Sequence, residues 1–147
     1  MSRIVLLNML VVLISIEVIF AQPYSVSVKI KNQPGNPVVI GSVRGDKFTP
    51  LDTIPVQDDT HSSKRLEYSF SDKFVTGVYR LVFGQTTYSR VMGEAPQQLD
   101  FIFNYENISF ETDFKAPSDS ISILNSDENR LWFDFLSKEK KIQTDMA

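Results

Sequence analysis

Between Tyr24 and Lys31 apolar and polar residues alternate one for one, with Tyr24, Val26, Val28 and Ile30 on one parity and Ser25, Ser27, Lys29 and Lys31 on the other. A period of two describes a pleated strand with one buried face. Gln33-Pro34-Gly35-Asn36-Pro37 then supplies turn chemistry, and the β-branched run Val38 to Val43 follows, so this pair is expected to form a hairpin. After Arg44-Gly45-Asp46-Lys47, Phe48 and Leu51 to Ile54 read as extended, whereas Asp58 to Ser63 reads as a polar loop. Three clearer alternations come next: Leu66, Tyr68 and Phe70; Tyr79, Leu81 and Phe83; Leu99, Phe101 and Phe103. The turn Tyr105-Glu106-Asn107 leads into Ile108, Phe110, Thr112 and Phe114, a second expected hairpin.

Strand signals at this spacing predict an all-β fold, an antiparallel β-sandwich whose two sheets bury the aromatic and aliphatic parity between them. The period changes near the end of the chain. Asn125 or Ser126 can cap a helix, with Glu128 three residues after Asn125 in the position of a capping-box acid. Leu131, Trp132, Phe135 and Leu136 then share one helical face, and Lys138, Lys140 and Lys141 sit toward the end where the helix dipole favours cations. The expected C-terminal helix is therefore amphipathic, and its stripe needs one surface to cover it. No repeat of fixed period is visible, which disfavours a propeller or solenoid.

The first residues follow a different rule. Arg3 precedes an apolar run from Ile4 to Ile16 broken only by Asn8 and Ser15, and Phe20-Ala21-Gln22-Pro23 follows. This order predicts a signal peptide over 1–21, cleaved after Ala21, and hence export to the periplasm or cell envelope. An uncleaved segment would be the only predicted contact with a membrane. The expected organisation is signal peptide 1–21, β-sandwich 22–124 and helix 125–147. Removing 1–21 from the 147 residues leaves a length close to the commonest single-domain size.

Composition narrows the chemistry. The net charge of −3, with Arg44, Lys64, Arg65 and Arg80 scattered among acids, argues against a nucleic-acid partner. The chain has no cysteine, so it holds no disulfide, thiol nucleophile, thiolate metal site or C-x-x-C pair. A single histidine rules out a two-histidine relay or a His-rich metal site. Asp58, Asp59 and His61 could offer metal ligands, and His61 with Ser62 or Ser63 could be read as base and nucleophile. A solvated turn is the better reading of both, since sequence adjacency is not relay geometry.

Gly45-Asp46-Lys47 lacks the glycines and following helix of a phosphate loop and reads as a tight turn. Asp127 with Glu128 suits a helix N-terminus, and Asp113 with Asp119 suits a loop, rather than acid–base pairs. Trp132 reads as a buried anchor. Asn107-Ile108-Ser109 is a formal glycosylation sequon, and Asp52-Thr53-Ile54 and Asp119-Ser120-Ile121 resemble O-glycan acceptor triplets of some bacterial envelopes. No catalytic residue, metal ligand or cofactor site is expected, and the chain reads as a non-enzyme.

The order of short motifs resembles a family. Phe20-Ala21-Gln22 at the export end, Gly45-Asp46-Lys47 leading to Leu51-Asp52-Thr53-Ile54, Gly77-Val78-Tyr79-Arg80-Leu81, the strands Leu99 to Asn104 and Ile108 to Asp113, and the closing Ile121 to Trp132 are similar to a domain of unknown function. That domain is the N-terminal β-sandwich of exported bacterial thiol–disulfide oxidoreductase-type proteins. The resemblance implies a sandwich ahead of longer helices and a thioredoxin-like module containing C-x-x-C. The absence of cysteine means that no redox role carries over to any residue here. The expectation is a non-catalytic accessory domain that positions or dimerises a thioredoxin-like module in cis, with self-association left open. The alternative is a stand-alone periplasmic or cell-surface binding module.

Overall fold

The computed structural model describes residues 23–71 and 73–146. The expected signal segment 1–21 lies outside these residues, as do Gln22, Asp72 and Ala147. The strands, in chain order, are β1 (Ser25–Lys31), β2 (Val38–Arg44), β3 (Lys47–Ile54), β4 (Gln57–Thr60), β5 (Ser63–Ser69), β6 (Gly77–Val82), β7 (Gln98–Phe103), β8 (Ile108–Asp113) and β9 (Ser122–Asn125). A short helix α1 (Thr87–Val91) follows β6, and α2 (Asp127–Asp145) follows β9. Two sheets form, ordered β4-β5-β1-β8-β9 and β3-β2-β6-β7.

Strand parity sets the core as expected. Val26, Val28, Ile30, Leu66, Ile108 and Phe110 point inward from the first sheet, facing Val38, Ile40, Leu81, Leu99 and Phe101 of the second. At one end the rings of Phe70 and Phe103 stack with centroids 4.0 Å apart, and Tyr79 meets Phe70 edge to face. The Tyr79 hydroxyl donates to the Val75 carbonyl at 2.8 Å, so the buried ring keeps its polar tip satisfied. Burial is also the main reason its phenol titrates above the usual tyrosine range.

Both expected hairpins are corrected by the sheet order. β1 and β2 lie in different sheets, as do β7 and β8. The Gln33–Pro37 segment is an arch between sheets, held by the Gln33 side chain, which accepts from Gly35 N–H at 2.7 Å and donates to the Asn36 carbonyl at 3.2 Å. The 104–107 connection crosses likewise, with Tyr105 at φ 53° and the Asn107 side chain accepting from Ser25 N–H at 3.0 Å. Alternation specifies which face of a strand is buried, but not which strand lies beside it.

The first sheet is also mixed, because β1 pairs antiparallel with β5 and parallel with β8. The region expected as a polar loop contains β4, which pairs antiparallel with β5. As a four-residue edge strand made of Gln, Asp and Thr, it has no apolar parity to reveal it. α1 was likewise invisible to periodicity, since none of its five residues is buried. In the second sheet, a β-bulge between Ile40 and Gly41 brings the β3 backbone close. A Cβ at Gly41 would meet the Phe48 ring and the Thr49 carbonyl at 2.4 Å, so that position needs glycine.

Candidate functional site

The sequence-predicted polar residues occupy structural positions. His61 is exposed in the turn between β4 and β5. Asp59 is drawn into a small charge network: Lys29 Nζ lies 3.0 Å and Arg65 Nη2 3.2 Å from its carboxylate, and Ser63 donates to it at 3.2 Å. The hydrogen bond from Lys29 is the main reason Asp59 titrates below the ordinary aspartate range. Asp58 pairs with Lys64, Ser63 is buried and hydrogen-bonded to Thr60, and Ser62 offers its carbonyl to Asn32 N–H at 3.0 Å. Among the described residues no cluster of three or more His, Cys, Asp or Glu is placed to hold a metal ion.

The other candidates follow the same pattern. Gly45, at φ 62°, turns the β2–β3 hairpin, with Asp46 and Lys47 exposed at its tip. Asp113 and Asp119 are engaged separately. Asp113 accepts from Lys115 N–H at 2.9 Å and Asn32 Nδ2 at 2.7 Å, which lowers its pKa, the first contact contributing most. Asp119 pairs with Lys140 at 2.7 Å. Arg80 grips Asp100 in a two-pronged contact at 2.5 and 2.7 Å on the outer face of the second sheet, and this contact raises the guanidinium pKa. Asp127 pairs with Arg130 at 2.5 Å, and Glu128 stays exposed in the first turn of α2. In the acceptor triplets, Thr53 is exposed on β3, while the Ser120 hydroxyl donates to the Ala116 carbonyl at 2.7 Å and accepts from Asp113 N–H at 2.8 Å.

The arrangement that stands out is the joint between α2 and the sandwich. Ser126 caps the helix, its hydroxyl accepting from Asn129 N–H at 3.1 Å, so the residue at the third helical position is Asn129 rather than the expected Glu128. Asn129 has no exposed surface. Its side chain accepts from the Ile102 N–H at 2.7 Å and donates to the Ile102 carbonyl at 2.7 Å. β7 is an edge strand, so these two groups have no strand partner, and the Asn129 amide satisfies both as a neighbouring strand would. A second donor contact, from Nδ2 to Ser126 Oγ at 2.8 Å, fixes the amide from behind.

Ser126 itself sits at φ 132°, a costly conformation for a residue with a Cβ, and its hydroxyl also bonds Glu106. The latch therefore ties the end of β9, in one sheet, to the open edge of the other. Its sequence signal was an Asn three residues after a Ser, hidden by the more familiar acid one place earlier.

Below the latch, Trp132, Phe133 and Leu136 are half-buried, and Phe133 meets Phe110 edge to face at 6.4 Å. A groove of about 560 Å³ runs between α2 and the 118–123 segment, with Ile121, Ile123, Phe133 and Leu136 as its apolar lining and Arg130, Asp134 and Lys140 among its polar residues. The expected helix stripe is thus split. Trp132 and Leu136 face the body, whereas Leu131 and Phe135 remain 72% and 58% exposed. From Ser137 to Met146 every residue is exposed.

No family model and no curated protein matches the chain. Among solved structures it is similar to the 5-hydroxyisourate hydrolase of Klebsiella pneumoniae, at 16% identity and a TM-score of 0.35, over 70% of this chain and 93% of that one.

Proposed function

We propose that this chain is a non-catalytic accessory domain of the cell envelope, which positions or dimerises a thioredoxin-like module in cis. The observation that carries the reading is α2. It is latched at its first turn by Asn129 and carries its last ten described residues exposed, with an apolar stripe turned outward. A helix docked over its first half, reached last by the Lys140–Asp119 pair and exposed beyond it, suits a spacer or docking arm, and Asp59, Asp113 and Asp119 are engaged in ion pairs and turn hydrogen bonds. The motif order from Gly45 to Trp132 supports the redox association, and export rests on Arg3, the Ile4 to Ile16 run and Ala21.

The test is to read the coding sequence past the codon for Ala147 and weigh the product recovered from the envelope fraction. The reading expects a product beginning at Gln22 and carrying a C-x-x-C module. A product that starts at Gln22 and stops at Ala147 would overturn it in favour of a stand-alone binding module, for which the groove beside α2 is the candidate surface. A product retaining residue 1 in the inner membrane would overturn the cleavage.

A further inference from the structure

We infer that the outward face of α2 binds the same face of a second copy of this chain, in antiparallel orientation. At 3.6 residues per turn, Leu131, Phe135, Lys138 and Ile142 form a straight seam. The seam lies roughly 140° round the helix from the side on which Asn129, Trp132, Phe133 and Leu136 meet the sandwich, by the same helical period. Every seam residue is exposed, Ile142 to 58%. The spacing of four, three and four residues is that of coiled-coil core positions. The seam is about 17 Å long at 1.5 Å per residue, and its second half lies in the stretch where all residues are exposed.

Charge selects the occupant and its direction. The first half of α2 holds Asp127, Glu128 and Asp134 against one arginine, and the second half holds Lys138, Lys140 and Lys141 against Glu139 and Asp145. Two copies laid antiparallel place the acidic half of each on the basic half of the other. Centring the pair between Leu136 and Ser137 layers Leu131 on Ile142 of the second copy and Phe135 on its Lys138, whose methylene stem covers the ring. The flanking Asp134 then faces Lys141 of the second copy, twice by symmetry. Arg130 and Lys140 are already paired with Asp127 and Asp119, while Lys141 has no partner among the described residues. A parallel pair in register would stack Lys138 on Lys138 within the seam and set Asp134 against Glu139 of the second copy, contacts that like-charge repulsion disfavours. The inference goes beyond the accessory reading and stands without it, because the dimer requires no redox module.

The chain as recovered from cells should sediment as a concentration-dependent dimer. Phe135→Glu should weaken the dimer by about 100-fold, as expected for a core anchor, with the urea midpoint unchanged at concentrations where both proteins are monomeric. Asp134→Lys and Lys141→Asp should each weaken it by about tenfold, and the double variant should recover the dimer. Orientation is read independently: residues 1–147 hold no cysteine, so mixing Leu131→Cys with Ile142→Cys protein ending at Ala147 under mild oxidation should give the mixed disulfide in preference to either homodimer. A monomer at every concentration, a dimer indifferent to the charge swap, or preferential 131–131 crosslinking would each overturn the inference.

Discussion

Asn129 is the most deeply buried polar residue among those described. Buried amides are tolerated where every donor and acceptor finds a partner, and here the partners are the two free main-chain groups of an edge strand. Asn129→Ala should cost about 2–4 kcal/mol, because it strands both Ile102 groups in a buried setting. Asn129→Asp should cost more, since it removes the donor and sets a carboxylate against the Ile102 carbonyl. Urea titration at constant slope gives the size of each effect, and faster exchange of the Ile102 amide proton locates it. If Asn129→Ala left Ile102 exchange unchanged, the latch would not be the bond that holds α2.

Asp59 illustrates a weaker, pH-dependent contribution. Its folded pKa is lowered, first by the Lys29 hydrogen bond, so the stability it contributes is present above the ordinary aspartate value of about 3.9 and is lost as pH falls through the lower native value. Asp59→Asn should therefore have a lower urea midpoint than wild type at pH 7 and match it in strong acid. A constant gap across pH would contradict this.

Among the elements, those with one buried face were legible before any coordinates. β1, β5, β6, β7 and β8 announce themselves by parity, and Phe101 and Leu81 are fully buried where that parity puts them. Phe101→Ala and Leu81→Ala should each cost roughly 2–5 kcal/mol, while Glu67→Ala, on the solvent face, should cost under about 0.5 kcal/mol, as urea midpoints would show. What parity could not supply was pairing. The arch at Gln33–Pro37 and the crossing at 104–107 use the same turn residues as hairpins, and only long-range register assigns the strands on either side to different sheets. The helix was legible in place but not in orientation, because Leu131, Trp132, Phe135 and Leu136 span a wide arc of which the body covers one side. Trp132, the single tryptophan, should fluoresce blue-shifted and resist quenching, and Trp132→Ala should cost about 3–5 kcal/mol. Red-shifted, freely quenched emission would mean that α2 is not docked on the sandwich.

For the whole molecule, the candidate site was the least legible part. Asp58, Asp59 and His61 drew attention as a cluster of polar types, yet Asp59 is consumed by Lys29 and Arg65, partners 30 positions before it and in the following strand. The latch and the outward seam depend on which side of α2 meets β7, a fact that resides in the packing and not in any local motif. Residues 1–147 hold no thiol, so disulfide reduction by protein ending at Ala147 should equal the buffer blank in an insulin-turbidity assay, and turnover by it would reveal a different chemistry.

Asn129 fixes one face of α2 to the sandwich, and the opposite face is the one turned to a partner. Hydrogen exchange along residues 127–146, measured over a range of protein concentrations, tests this most directly. Amides near the latch, up to Leu136, should be slow at every concentration. Those from Ser137 to Met146 should be fast when dilute and slow when the partner face is occupied, and Phe135→Glu should abolish that second protection. Rapid exchange near the latch at all concentrations, or equal protection along the helix in dilute monomer, would contradict this arrangement of α2.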